Sequence, residues 1–358
     1  VTLVSRAEIA NRDFVLRYRT STAGVSVVTH QSSDGTGFLG LTIPDGRLAG
    51  AAASRLPTRV VFLIDDTASM AGAAWAAARQ IVRLWCPSES NTQRKNSMKA
   101  YFLHGPKDMR LDHIDRPALA EDQVLVRVKA GGICGSDLHY YEHGRNGDFV
   151  PERPFILGHE FAGEIADAGN HAQTLPVGSR VAVDPSHPCR QCSYCLDGRY
   201  NLCSDMRYFG SAAIVPPFDG SFREYAPVRA TCCHLIPPSM PFEQAALLEP
   251  LSVALQGVKQ AGNIAGRRVL ICGAGPIGQL LGMVTRHYGA ERIAVSDLRP
   301  SSLEKAISTW ADAGIQVDRS GQIEEVDRAF GGFDVIIEAS GAEAALQTAY
   351  EHCKPGGT

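Results

Sequence analysis

No stretch of the 358-residue chain is apolar for anything near the ~20 residues that a membrane-spanning helix needs. That lack argues against a membrane protein of the helical kind. The first residues, VTLVSRAEIANRDF, also lack the sustained apolar segment behind a basic start that marks a secretory signal. An excess of charge is missing too, since 35 Lys and Arg against 38 Asp and Glu leave a net charge of −3. This balance gives no electrostatic reason to expect nucleic acid or an anionic membrane as a partner. The remainder is ordinary for a globular protein, 44% hydrophobic and 20% charged, in a chain with room for two or three domains. The chain starts on Val, which sets the expectation of an upstream part.

Cysteine, by contrast, is plentiful. Of ten cysteines, Cys189, Cys192, Cys195 and Cys203 fall in one run, CRQCSYCLDGRYNLC. The spacing C-x2-C-x2-C-x7-C lets four thiolates converge on one ion in a closed tetrahedral shell, as structural zinc is held. An iron–sulfur cluster fits less well, because the bacterial ferredoxin run has a shorter last gap and then Pro, whereas Ser204 follows Cys203 here. Such clustering points to metal binding in a reducing, cytoplasmic compartment and not to a secreted disulfide framework. A closed site has no open position, so it should stabilise a lobe and do no chemistry. Cys86, Cys232, Cys233, Cys272 and Cys353 read as small core or loop residues.

Three further motifs carry chemistry. The stretch GGICGSDLHYY holds Cys134, Ser136 and His139, and ILGHEFAG sets His159 beside Glu160. RVLICGAGPIGQLLGMV reads as an apolar strand, a loop Gly273-Ala274-Gly275-Pro276-Ile277-Gly278, and an apolar helix, the context that a dinucleotide-binding loop needs. Gly273 permits the tight turn, Gly275 lets a pyrophosphate approach the backbone, and Gly278 allows close helix–strand packing. The next strand, RIAVSD, ends at Asp297. An acid there binds a ribose 2′-hydroxyl and disfavours a 2′-phosphate, so NAD is expected ahead of NADP. Arg299 nearby weakens that preference, and a helix N-cap is the plain alternative for Asp297. FDVIIEASG reads as a further parallel strand whose loop faces the cofactor.

Cys134, then His159–Glu160, then the four-cysteine run, then the Gly-rich loop: in this order the motifs resemble the zinc-dependent medium-chain dehydrogenases, from Met98 to Thr358. The resemblance implies an α/β protein with a β-rich part. A GroES-like catalytic domain spans 98–250, followed by a doubly wound Rossmann sheet over 251–358. It also implies a second, catalytic zinc with about three protein ligands and one position open for a substrate oxygen. Cys134 as thiolate and His159 as neutral imidazole fit two of these. Glu160 and Glu249, the latter in LLEPLSVA, are the alternatives for a carboxylate. Zinc would lower the pKa of the alcohol as a Lewis acid. Ser136 would hydrogen-bond the hydroxyl and His139 would pass the proton outward. The plain alternatives are a turn-capping hydroxyl and a surface histidine.

The run NLCSDMRYFGSAAIVPPFDGSFREY, residues 201–225, resembles the L-idonate 5-dehydrogenase group of the sorbitol-dehydrogenase-like branch. That implies oxidation of L-idonate to 5-keto-D-gluconate with NAD, by a dimer or tetramer. Sorbitol, xylitol and L-threonine enzymes share most of these motifs. Arg207 or Arg223 would pair a substrate carboxylate, or else make a surface or subunit contact. The chain stops at KPGGT, so the later Rossmann strands are expected to be missing, with FDVIIEAS left as an exposed apolar edge. A zinc-binding fragment without activity is the alternative that follows.

Residues 86–97 read as a polar linker. Before it, RVVFLID suggests a strand and AGAAWAAARQIVRLW a helix, with Asp65, Thr67 and Ser69 between them spaced to hold a divalent cation. Residues 8–85 resemble the start of a von Willebrand factor A domain. Without the later strands, residues 1–85 are expected to be an incomplete remnant or one half of a fusion.

Overall fold

The computed structural model describes residues 97–170 and 175–358 in full and, before them, the backbone of four short strands. Of these, β1 (Phe14–Arg19), β2 (Ser26–Gln31) and β3 (Gly37–Thr42) form an antiparallel sheet. The fourth, β4 (Phe62–Ile64), lies inside the expected strand and runs parallel to residues 131–133. The expected helix, Asp65, Thr67, Ser69 and the linker up to residue 96 lie outside the described residues, while the last linker residue, Ser97, already belongs to a strand.

The β-rich region begins with a hairpin, β5 (Ser97–Gly105) and β6 (Asp108–Asp115). Its spine is β7 (Gln123–Ile133), where Val124, Val126, Val128 and Ala130 alternate onto one buried face. Helix α1 (Gly135–His143) and β8 (Phe155–Ile156) lead to β9 (Phe161–Ala168) and β10 (Arg180–Val183). A short pair, β11 (Ser186–His187) and β12 (Arg207–Tyr208), brackets the four cysteines and the one-turn helix α2 (Ser193–Leu196). With β13 (Tyr225–Arg229) and β14 (Cys233–Leu235) the sheet order is β13–β7–β9–β10–β14. Phe161, Ile165, Phe209 and Val228 fill its core with the β7 valines. The antiparallel register sets Gly131 opposite Phe161, which brings the end of β7 alongside His159 and Glu160.

Helices α3 (Phe242–Ala246) and α4 (Leu248–Gln260) lead into the second region. There β15 (Arg268–Cys272), α5 (Pro276–His287), β16 (Arg292–Asp297), α6 (Pro300–Thr309), β17 (Ala313–Gln316), α7 (Gln322–Phe330), β18 (Val335–Glu338) and α8 (Glu343–His352) alternate. All strand pairs are parallel, in the order β17–β16–β15–β18. This is the first part of a doubly wound sheet, with its crossover at β15. Both faces are covered. Val269, Ile271 and Val295 pack on one side, and Leu270, Cys272 and Ala294 on the other, which explains why RVLIC is apolar without alternation.

The outer edge at β18 is not bare. Ile336 N–H donates to the carbonyl oxygen of Thr358 at 2.8 Å, and Thr358 N–H to that of Asp334 at 3.1 Å. Beside this partial cover, a groove of about 920 Å³ is lined by Ile336, Leu346, Tyr350 and Thr358 among others. No helix among the described residues is long and apolar enough to cross a membrane.

Candidate active site and metal centres

Two clusters of metal-ligating side chains stand out among the described residues. The first joins Cys189, Cys192, Cys195 and Cys203, whose sulfurs all lie within 4.8 Å of one another. Two of the sulfur pairs, Cys189–Cys195 and Cys192–Cys203, are 4.0 Å apart. That is far beyond the ~2.05 Å of a disulfide. It is close to the ~3.8 Å edge of a tetrahedron with metal–sulfur bonds of about 2.3 Å. Backbone N–H groups already point at the sulfurs: Cys189 N–H at Cys203 (3.2 Å), Cys192 N–H at Cys189 (3.3 Å) and Asp205 N–H at Cys203 (3.4 Å). Such donors favour the thiolate. The N–H groups of Ser204 and Cys195 pull the Cys192 thiol down to about 6, whereas burial pushes Cys195 up. A cation at the centre would remove that conflict, so the donor set fits a closed four-thiolate zinc site.

The second cluster joins Cys134, His159 and Glu160, again with ligand atoms within 4.8 Å of one another. Local structure aims each of them. Cys134 is the N-cap of α1, and its N–H donates to Asp137 Oδ2 at 2.9 Å. The other Asp137 oxygen accepts Gly158 N–H at 3.0 Å and lies 3.8 Å from His159 Nδ1. One buried carboxylate thereby ties the loop of Cys134 to the loop of His159. Glu160 lies against β7 so closely that a Cβ on Gly132 would sit 1.9 Å from its Oε2. Only glycine leaves room for the carboxylate there.

Burial dominates the electrostatics of this cluster, and the opposing pull of His159 on Glu160 is the smaller effect. Burial, then the Cys134 sulfur, pushes the Glu160 carboxyl up to about 9. Burial, then Asp137, raises Cys134. His159 Nδ1 is buried with no hydrogen-bond partner. A thiol and a carboxyl that resist ionisation, with a ring nitrogen of His159 close to both and the Asp137 carboxylate on the Nδ1 side of that ring, fit a divalent cation bound by sulfur, nitrogen and oxygen.

Glu249 stands just outside this trio. It sits in the first turn of α4, and its Oε1 accepts the Tyr208 hydroxyl at 2.6 Å. The Tyr208 ring lies 5.6 Å from the His159 ring, centroid to centroid. Glu249 is near enough for its charge to act on both Cys134 and Glu160. Ser136, in the first turn of α1, hydrogen-bonds to the Cys134 side chain. His139 lies one turn further along the same helix face, exposed, with its ring 5.9 Å from that of His143, and is not part of the cluster. Asp137 and Tyr208 were missed in the sequence. The spacing Cys-x-x-Asp across a helix start was a readable signal for Asp137; nothing local pointed to Tyr208.

In the second region the Gly-rich loop lies between β15 and α5. Gly273 has φ +102°, Gly275 is the N-cap, and Pro276 opens the helix, where Ile277 follows. A Cβ on Gly278 would sit 1.9 Å from the Gly273 carbonyl oxygen, so helix and strand approach as closely as the motif requires. Asp297 ends β16 and does not cap a helix. Its carboxylate accepts Ala274 N–H and Arg299 N–H, both at 2.8 Å, which sets it directly against the loop. The Arg299 guanidinium lies 3.7 Å from it. Behind the loop, buried Gln279 donates to the carbonyl oxygens of Ala274 (3.0 Å) and Ser302 (3.1 Å) and accepts the Trp310 indole N–H at 2.9 Å.

Comparison with known proteins agrees with this anatomy. Residues 120–238 match the alcohol dehydrogenase GroES-like domain, and residues 276–358 match the zinc-binding dehydrogenase family. The chain is 41% identical to sorbitol dehydrogenase of Bacillus subtilis over 266 residues, covering 73% of each protein. Among solved structures, L-idonate 5-dehydrogenase of Escherichia coli K-12 superposes with a TM-score of 0.67 at 35% identity, covering 73% of this chain and 74% of that one. A protein of Sinorhizobium meliloti assigned as a zinc-binding dehydrogenase, bound to NADP, does so with a TM-score of 0.67 at 32% identity, covering 74% and 75%. With its GroES-like region, its parallel sheet and its two cysteine-containing clusters, this chain belongs to the zinc-dependent medium-chain dehydrogenase family.

Proposed function

We propose that this chain is a nicotinamide-dependent dehydrogenase that oxidises a secondary alcohol of a polyol or sugar acid, with L-idonate to 5-keto-D-gluconate as its specific reaction. The observation that carries the reading is the convergence of Cys134, His159 and Glu160 on one point. Zinc held there would supply a Lewis acid for the alcohol oxygen. Asp137 keeps Cys134 and His159 in place. Tyr208 holds Glu249 beside the cluster as a second carboxylate. Ser136 stands at the sulfur, where a substrate hydroxyl would arrive, and His139 on the same helix face gives the released proton a path to water. The four-cysteine site would carry a second, structural zinc. We read 98–250 as the catalytic domain and 251–358 as the cofactor domain, with 1–85 and the linker 86–97 outside both.

NAD is the preferred cofactor in this reading, because the Asp297 carboxylate beside the Gly-rich loop would repel a 2′-phosphate. Arg299 tempers the repulsion, and the Sinorhizobium relative holds NADP. The substrate class rests on likeness to the sorbitol and L-idonate enzymes and on the 201–225 run. The free thiols of both clusters suit a cytoplasmic location, and the family resemblance implies a homo-oligomer. The test is formation of reduced cofactor by the zinc-loaded chain with L-idonate, sorbitol, xylitol and L-threonine in turn. L-Idonate should give the highest kcat/KM, with NAD favoured over NADP by about tenfold or more. No turnover with any of the four would overturn the reading.

A further inference from the structure

Arg207 and Arg223 meet, but not at Cys134, His159 and Glu160. Together with Arg153 they line a separate cleft of about 270 Å³, closed on one side by the turn from Val215 to Phe218 and by Asp219. None of the metal-cluster residues lines it. Strand alternation explains the separation, because Tyr208 of β12 faces His159 and its neighbour Arg207 therefore faces the other way.

The cleft holds three guanidiniums against one carboxylate, a surplus of positive charge. Arg223 is only 7% exposed, yet its Nε has no hydrogen-bond partner. Its NH2 makes one long bond, 3.5 Å, to the Asp219 carbonyl oxygen. Burial alone pulls this guanidinium down to about 10, against the pull of Asp219. Buried charges are normally paired and fully hydrogen-bonded, because leaving one unpaired is costly. Asp219 does not meet that need. Its Oδ1 accepts Ile156 N–H at 3.0 Å and faces Arg153 at 3.6 Å. Arg153 is itself anchored on the carbonyl oxygens of Pro154 (2.8 Å) and Pro217 (2.9 Å), which fixes the rim. Arg207 is exposed and has no side-chain hydrogen bond or ion pair with any described residue.

We propose that this cleft is a binding site for a small oxyanion, a carboxylate or phosphate group, separate from the metal cluster. Guanidinium forks match both groups in a bidentate way. An anion here would compensate Arg223 and give Arg207 the partner it lacks.

The test is calorimetric titration of the zinc-loaded, full chain with inorganic phosphate and, separately, with succinate. At least one should bind at one equivalent with a Kd of about 1 mM or tighter. A response to phosphate alone or to succinate alone identifies which group the cleft takes. Arg207→Gln, chosen because Arg207 is exposed and its loss should not disturb folding, should weaken binding about tenfold or more at an unchanged Tm. Cys134→Ser should bind the anion as the parent does, so failure of the catalytic reading and failure of this one remain distinct. Three outcomes would overturn the proposal: binding of neither anion, equal binding by Arg207→Gln, or loss of binding in Cys134→Ser.

Discussion

The two metal-ligating clusters are built on opposite plans. The four-cysteine cluster comes from a single 15-residue run, is all sulfur, and receives its supporting N–H donors from the same loop. The Cys134 cluster gathers its ligands from the start of α1 and the start of β9, and is braced by Asp137 of the same helix and by Tyr208 and Glu249 from two further places in the chain. A local loop can close a shell by itself. The Cys134 cluster, which the proposed function has leave room for a substrate, depends on the register of the sheet around it and on neighbouring carboxylates. Disturbance should therefore act on stability in one cluster and on chemistry in the other.

Four experiments would break or sharpen that contrast. The largest effect is expected from Cys134→Ser, which should remove one of two bound zinc ions and cut turnover about a thousandfold or more while the four-cysteine site stays filled; metal analysis and kcat/KM would check both. Cys203→Ser should do the reverse. It should release the other ion and destabilise the β-rich region by several kcal/mol, on the order of 3–5, read as a loss of Tm. Retention of the parental Tm would deny that cluster its structural role.

Acid should reach the four-cysteine side first. His187, just before Cys189, is buried against Phe209 and Phe218, and burial, then Arg229, pulls it from 6.5 to about 4. An unfolded histidine takes its proton at the higher value, so the unfolded chain binds more protons throughout that window. Stability is therefore full above pH ~6.5, falls as pH drops toward ~4, and loses at most about 3 kcal/mol from this group. His187→Phe should flatten denaturation midpoints over that range. The smallest effect belongs to Tyr208→Phe. It removes one hydrogen bond to the Glu249 carboxylate, worth about 1.5 kcal/mol, and should lower kcat about tenfold with zinc content and Tm unchanged. A cobalt-substituted sample should show a shifted visible spectrum in this variant if Tyr208 orders the Cys134 side, and an unchanged one if it does not.

Legibility in the sequence followed the same contrast. The four cysteines, the Gly-rich loop with its flanking strand and helix, and the terminal Asp297 were readable because each is contained in a few consecutive residues. The parallel sheet was readable from the continuous apolar runs of β15 and β18. That Glu160, and not Glu249, comes within 4.8 Å of Cys134 and His159 was not. It depends on the pairing of Gly131 with Phe161 and on the gap that Gly132 leaves, and neither is a property of any short segment. Asp137 was readable only in its local half, the Cys-x-x-Asp spacing at a helix start; its second partner, Gly158, lies 21 residues away. The bare edge expected at β18 was wrong in one respect: Thr358 folds back beside Asp334 and Ile336. Within residues 8–85 the described parts are the strands β1 to β4, of which β4 falls where a strand was expected, and the matched families cover 120–238 and 276–358 without supporting the von Willebrand factor A likeness.

The buried Gln279 has a consequence of its own. It clamps the first turn of α5 to the loop before it and, through Trp310, to the far end of α6. The helix N-terminus beside the Gly-rich loop is therefore tied to its neighbours by the protein's own side-chain hydrogen bonds. If the proposed nicotinamide cofactor binds there, its capture should resemble docking onto a finished platform, with an association rate governed by diffusion and charge and with little dependence on loop rearrangement.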